Sequence, residues 1–132
     1  QIVWSPVAQG VLTGKYLPGK KPPAGSRATD KKSGAEMISR WMRDEVLEAV
    51  AKLKPIAAGL DLTMSQLALA WALANPNVSS VIMGASKPSQ VKENVKASGI
   101  KLSTQTLSEI NKALGSIPET NPERTESPKP RA

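Results

Sequence analysis

The sequence predicts an α/β protein built on a parallel sheet. Three observations point there. Two short runs rich in β-branched residues, Ile2–Trp4 and Val78–Met83, stand far apart in the chain. Between and after them, apolar residues recur with the 3.6-residue period of helices, and strands alternating with helices form parallel sheets with right-handed crossovers. Gly and Pro punctuate the boundaries. A parallel sheet covered on both faces needs more than two strands, so the 132 residues are expected to be the last third to half of a larger fold.

The first strand should stop at Ser5-Pro6, because proline donates nothing to a ladder. An irregular stretch is expected from there to about Ala35, with glycines at 10, 14, 19, 25 and 34; a loop of that length is usually functional or disordered. Helical periodicity starts near Met37 and is clear from Asp44, with Val46, Leu47, Val50, Leu53 and Ala57 on one face. Asp44 and Glu45 suit the positive end of the helix dipole. Pro55 predicts a bend within one helix, and Gly59 its end. Thr63 and Gln66 have the spacing of a capping box, in which each satisfies the other's orphan amide. They open a helix over Met64–Ala74 that is apolar nearly all round. After the second strand, Gly84-Ala85-Ser86 turns into a helix with Pro88 in its first turn, running to about Ser98 with Val91 and Val95 inward. Ser103 caps a last helix with Leu107, Ile110 and Leu114 as its stripe and Gly115 as its stop. Residues 1–117 are expected to form the folded part. Residues 118–132, with four prolines, six charges and no apolar pattern, predict a disordered tail.

The chain contains no Cys and no His, which excludes a disulfide scaffold, a Ser-His-Asp triad, a Cys nucleophile and an ordinary zinc site. Metal ligands are therefore expected to be none. The longest apolar run, Leu67–Ala74, falls far short of the ~20 residues that span a bilayer, and no signal peptide is visible. The expected location is cytoplasmic, with no membrane partner. The net charge is +7, from 18 Lys and Arg against 11 Asp and Glu. Lys15, Lys20, Lys21, Arg27, Lys31 and Lys32 crowd one window against Asp30 alone; Lys87, Lys92, Lys96 and Lys101 crowd another against Glu93. Two localised basic clusters suit an anionic partner, and a solubilising surface is the competing reading.

Two constellations carry chemistry. In the first, a strand ends on Trp4 and Ser5, and a Gly-punctuated loop leads through Gly10 to Lys15. Such a loop can aim amides and an ammonium at a phosphate, with Arg27 as a further clamp. In the second, Gly84 allows close backbone approach at a strand end. Ser86 and Lys87 lie at a helix start where orphan amides and the dipole favour an anion. Gln90, Glu93 and Asn94 line the following turns and could hydrogen-bond a heterocycle. A helix capped by its own polar residues is the competing reading. Both constellations follow strands, the face on which α/β folds bind ligands.

These residues resemble a known family. Trp-Ser-Pro-Val-Ala-Gln-Gly-Val-Leu-Thr-Gly-Lys-Tyr over 4–16, Ser26-Arg27-Ala28, Gln66-Leu-Ala-Leu-Ala-Trp71 and Gly84-Ala-Ser-Lys with Gln90, Glu93 and Asn94 resemble the aldo-keto reductases. The nearest branch is that of potassium channel β subunits and bacterial general-stress reductases. The resemblance spans residues 2–115 and implies the C-terminal portion of a (β/α)8 TIM barrel, its last two βα units plus C-terminal helices, binding NADP(H). It implies that Trp4 stacks on the nicotinamide. Ser5, Pro6, Val7, Ala8, Gln9 and Gly10, with Lys15 and Arg27, would hold the pyrophosphate and ribose. Ser86 and Lys87 would take the 2′-phosphate, Gln90, Glu93 and Asn94 the adenosine end, and Gly84 belongs to the same cofactor-binding set. The family's Tyr, Lys, Asp and His catalytic set is missing, since the sole tyrosine, Tyr16, belongs to the loop motif. The partners implied are a small carbonyl substrate, the N-terminal half of the barrel and, in some assemblies, further copies of the chain. The alternative is a non-catalytic regulatory or binding module of channel-β-subunit type. A nucleic-acid binder fits poorly, because four aromatics make little stacking platform.

Overall fold

The structure, a computed structural model, describes residues 1–119 and 121. Two strands, β1 (Ile2–Trp4) and β2 (Ser80–Ile82), pair in parallel with Ile2 opposite Ser80, Val3 opposite Val81 and Trp4 opposite Ile82. The long crossover between them holds α1 (Gly34–Ile38), α2 (Asp44–Ala51), α3 (Leu53–Gly59) and α4 (Met64–Leu73); α5 (Pro88–Val95) and α6 (Thr104–Leu114) follow β2. The parallel α/β pairing expected from the sequence is present, and β2 is shorter than the apolar run that announced it.

Two apolar clusters hold the helices together. Val11, Tyr16 and Ile38 pack with Val46, Leu47 and Val50 of α2. Ala49, Leu53 and Ala57 pack with Leu67 of α4 and with Ile110 and Leu114 of α6. Helix α2 therefore feeds both clusters from adjacent faces, and each large aliphatic side chain removed from water contributes about 1.5–3 kcal/mol. The capping box forms as expected: Thr63 Oγ1 accepts from Gln66 N at 3.2 Å, and Thr63 N donates to Gln66 Oε1 at 3.0 Å. Ser103 likewise caps α6, accepting from Thr106 N at 3.1 Å.

Four expectations need correction. The stretch 5–35 is not structureless: 3-10 turns form at Ala8–Thr13 and Arg27–Thr29, and α1 begins at Gly34. The expected bent helix is two helices that break at Lys52. Pro55 has no N–H for the Ala51 carbonyl and its ring crowds that carbonyl, so the break falls one turn before the proline. Helix α5 stops at Val95 rather than Ser98. Val91 and Val95 do not face inward; they are 52% and 63% exposed. Periodicity marks an apolar face without saying what covers it. On the sheet, Ile2, Trp4 and Ile82 also face outward, while Val3 and Val81 are half-buried. The tail expected at 118–132 lies outside the described residues, apart from Pro118, Glu119 and Asn121. No single helix among the described residues is long and apolar enough to cross a membrane.

Candidate functional site: a cleft at the strand ends

Because β1 and β2 run parallel with Trp4 opposite Ile82, the segments that leave both strands start side by side. They enclose a cleft of about 890 Å³ whose walls also include Ser26, Arg27 and the first two turns of α5. Of the residues singled out from sequence, Trp4, Ser5, Pro6, Val7, Gln9, Gly10, Lys15, Arg27, Gly84, Ser86, Gln90, Glu93 and Asn94 all line it. Ala8 and Lys87 do not.

The backbone after β1 is unusual. Ser5, Ala8 and Gln9 hold φ of 53°, 47° and 57°, and Gly10 holds 101°. Left-handed backbone costs a residue with a Cβ about 1–2 kcal/mol, and such strain gathers at functional sites. Side chains brace the loop. Gln9 Nε2 donates to Ser5 Oγ at 2.6 Å, and Gln9 Oε1 accepts from Arg27 Nη1. A relay of three polar residues thus ties the strand end to the segment around Arg27. The Lys15 ammonium lies over Gly10, where any Cβ would stand 3.3 Å from its Nζ. It is also 5.2 Å from the centre of the Tyr16 ring. Two cations therefore flank a loop that closes on itself, with Ala8 N donating to the Ser5 carbonyl oxygen at 2.8 Å and Gly10 N to that of Val7 at 2.9 Å.

The far wall is built differently from the anion-binding helix start that the sequence suggests. Gln90 Oε1 accepts from Ser86 N at 2.8 Å, from Ser86 Oγ at 3.2 Å and from Lys87 N at 3.2 Å. The donors offered to an anion are thus occupied by the helix's own residue, as the competing reading had it. Glu93 lines the cleft with Oε2 3.4 Å from Lys96 Nζ, and its Oε1 accepts from Gln66 Nε2 at 3.1 Å. Sequence reasoning missed the wall residues Thr13, Gly25, Ser65 and Ser89, whose small side chains carry no signal of their own. The Ser26 Oγ, also on the wall, is buried without a protein partner. Tyr16 is 2% exposed inside the first apolar cluster, so its hydroxyl is sequestered from the cleft. No group of three or more metal-ligating side chains exists among the described residues.

A family model described as "Aldo/keto reductase family" matches residues 1–114. The chain belongs to the aldo/keto reductase family. The resemblance carried by the Trp4–Tyr16, Ser26–Ala28, Gln66–Trp71 and Gly84–Asn94 motifs is thereby borne out, and the family is one of TIM-barrel oxidoreductases that generally bind NADP(H). This aldo/keto reductase chain is 41% identical over 124 residues to a "Probable voltage-gated potassium channel subunit beta" of Oryza sativa subsp. japonica, covering 94% of this chain and 37% of that protein. It is 44% identical over 118 residues to the protein of the same name from Arabidopsis thaliana, covering 88% and 35%. The chain therefore spans little more than a third of the length of these relatives.

Proposed function

We propose that residues 1–117 are the NADP(H)-binding C-terminal part of an aldo-keto reductase, corresponding to the last two βα units of its barrel and the helices that follow. The observation that carries this reading is the single cleft lined by both motif-bearing segments at the ends of two paired parallel strands. The chain's residues suit the cofactor. Trp4, 71% exposed at the strand end, offers a flat face to a nicotinamide ring. Lys15 and Arg27, on either side of the loop from Ser5 to Gly10, offer charge to a pyrophosphate, and the orphaned Ser26 Oγ adds a donor beside Arg27. Gly84 leaves its strand end without a side chain, so a ligand can approach the backbone closely. The exposed Lys87 suits a 2′-phosphate, its flexible stem swinging to it, and Ser86 joins it on exchanging its hydrogen bonds to Gln90 for the phosphate. Gln90, Glu93 and Asn94 suit the adenosine.

When bound, the cofactor supplies a hydride to a carbonyl carbon of an aldehyde or ketone. The proton for the carbonyl oxygen has no donor in this cleft, since Tyr16 is buried in the core. The donor, the substrate walls and the remaining strands belong to the rest of the barrel, and the assembled protein is cytoplasmic. A second reading, a non-catalytic binding or regulatory module, is favoured by that sequestered Tyr16 and by the channel-subunit names of the relatives. The first reading requires NADP(H) binding; the second requires association with a partner chain. They part when the missing N-terminal half is supplied and aldehyde reduction is followed: turnover supports the reductase, and binding without turnover the module. Failure to bind NADPH at all sinks the reductase reading.

A further inference from the structure

The cleft leaves much of the chain's positive charge unused. Between residues 17 and 33 stand Lys20, Lys21, Arg27, Lys31 and Lys32 against the single acid Asp30, and of these only Arg27 lines the cleft. Asp30 is tied to its own chain, accepting from the backbone amides of Lys32 and Gly34 at 3.0 Å and 3.3 Å. The four lysines are exposed, and none forms an ion pair with a described residue. Tyr16 and Ile38 pack in one apolar cluster, and Gly19 N donates to Asp44 Oδ1 at 3.1 Å. The segment 16–19 therefore runs alongside 38–44, next to α1. Leu17 and Met37, the chain neighbours of those two buried residues, turn outward instead and are 44% and 47% exposed. Beyond them the exposed Arg40 guanidinium, which offsets Glu36 one helical turn earlier, lies 3.9 Å from the centre of the half-buried Trp41 ring. Two adjoining segments thus each carry a lysine pair and an outward apolar side chain.

We propose that this face, residues 17–21 with 31–37, is a peripheral docking surface for an anionic lipid bilayer. Lysine ammoniums are compact, hydrated point charges on flexible stems, suited to a diffuse negative layer, whereas arginine forks suit individual carboxylates and phosphates. A soluble polyanion has no use for exposed Leu17 and Met37; a bilayer takes such side chains into the boundary between headgroups and acyl chains while the lysines stay over the headgroups. The chain would lie on the membrane without spanning it. Because none of these side chains lines the cleft, the proposal is independent of the nucleotide reading.

The test is co-sedimentation of the full chain with vesicles of phosphatidylcholine alone and of phosphatidylcholine with about one-third phosphatidylserine. The chain should bind the anionic vesicles and leave the neutral ones, and salt that shortens the Debye length from about 10 Å to about 3 Å should release it. Near such a surface each lysine strengthens attachment about fivefold, so Lys20→Gln with Lys21→Gln, and separately Lys31→Gln with Lys32→Gln, should each weaken it about tenfold or more. Met37→Gln should weaken it about threefold or more at unchanged charge. Lys101→Gln with Lys112→Gln removes the same charge from exposed positions at α6 and should cost less than about twofold. All the substituted side chains are exposed, so the fold should survive each change. Equal binding to both vesicles, or none to either, would overturn the proposal and leave the lysines a solubilising surface. Equal losses in the Lys101 and Lys112 pair would reduce the effect to net charge. Binding of soluble polyglutamate as tightly as vesicles, with Met37→Gln silent, would make the partner an acidic polypeptide and refute the bilayer.

Discussion

Replacing Gly10 by alanine should separate the backbone's contribution to the cleft from its contribution to stability. Gly10 is buried at φ +101°, and an added Cβ would lie 3.3 Å from Lys15 Nζ and 3.4 Å from its Cε. The backbone conformation alone costs a residue with a Cβ about 1–3 kcal/mol, a fall of roughly 4–12 °C in Tm for a domain of this size. The crowded atoms are the far end of a flexible side chain, so Lys15 yields and the fold survives. In yielding, its ammonium leaves the loop. A charge-assisted contact is worth about 1.5–3 kcal/mol, and losing part of it should weaken NADPH and NADH alike, by about 3- to 10-fold. Gly19→Ala is the control. Gly19 also has positive φ, 62°, but an added Cβ there would meet nothing within 4 Å, and the residue lies outside the cleft wall. It should lose stability and keep affinity. Thermal melts and fluorescence titration of both variants decide the matter. If both lose affinity equally, or neither does, the placement of Lys15 over Gly10 has no part in binding.

Three further outcomes follow from the same geometry. Lys15→Ala and Arg27→Ala should weaken NADPH and NADH together, about tenfold each, whereas Lys87→Ala should weaken NADPH alone by roughly 10- to 150-fold; equal losses on Lys87→Ala would place the 2′-phosphate elsewhere. The chain by itself should reduce no aldehyde with NADPH, because lack of a positioned proton donor forfeits about 10²–10⁴-fold; turnover abolished by Trp4→Ala would contradict this. With Ile2, Trp4, Ile82, Val91 and Val95 exposed, the chain alone should self-associate in sedimentation, and Val95→Lys should reduce that; a wild-type monomer at high concentration would refute it.

Local chemistry made much of the fold legible in the sequence. The capping box at Thr63 and Gln66, the cap at Ser103 and the two strand runs depend on residues a few positions apart, and each appears at its expected place. The cleft was legible because parallel strands bring the residues that follow them to one end. The rest depended on information that spacing does not carry. Left-handed backbone at Ser5, Ala8 and Gln9 has no composition signal, since only glycine advertises positive φ. Gln90 could cap its own helix or meet a ligand with the same amide, and only the folded geometry tells which donors it takes. The contact from Gln66 to Glu93 spans 27 positions, beyond any local pattern. Val91 and Val95 show an apolar face correctly and its covering not at all.

The central claim is that the segments leaving β1 and β2 form one nucleotide site. It is tested most directly by titrating NADPH into the isotopically labelled chain and following backbone amide resonances. The account predicts that amides in 5–15, in 25–28 and in 84–94 shift together along one binding curve, while those of Lys20, Lys21, Lys31 and Lys32 stay still. Shifts confined to one segment, separate curves for the segments, or changes scattered over the exposed lysines would contradict it.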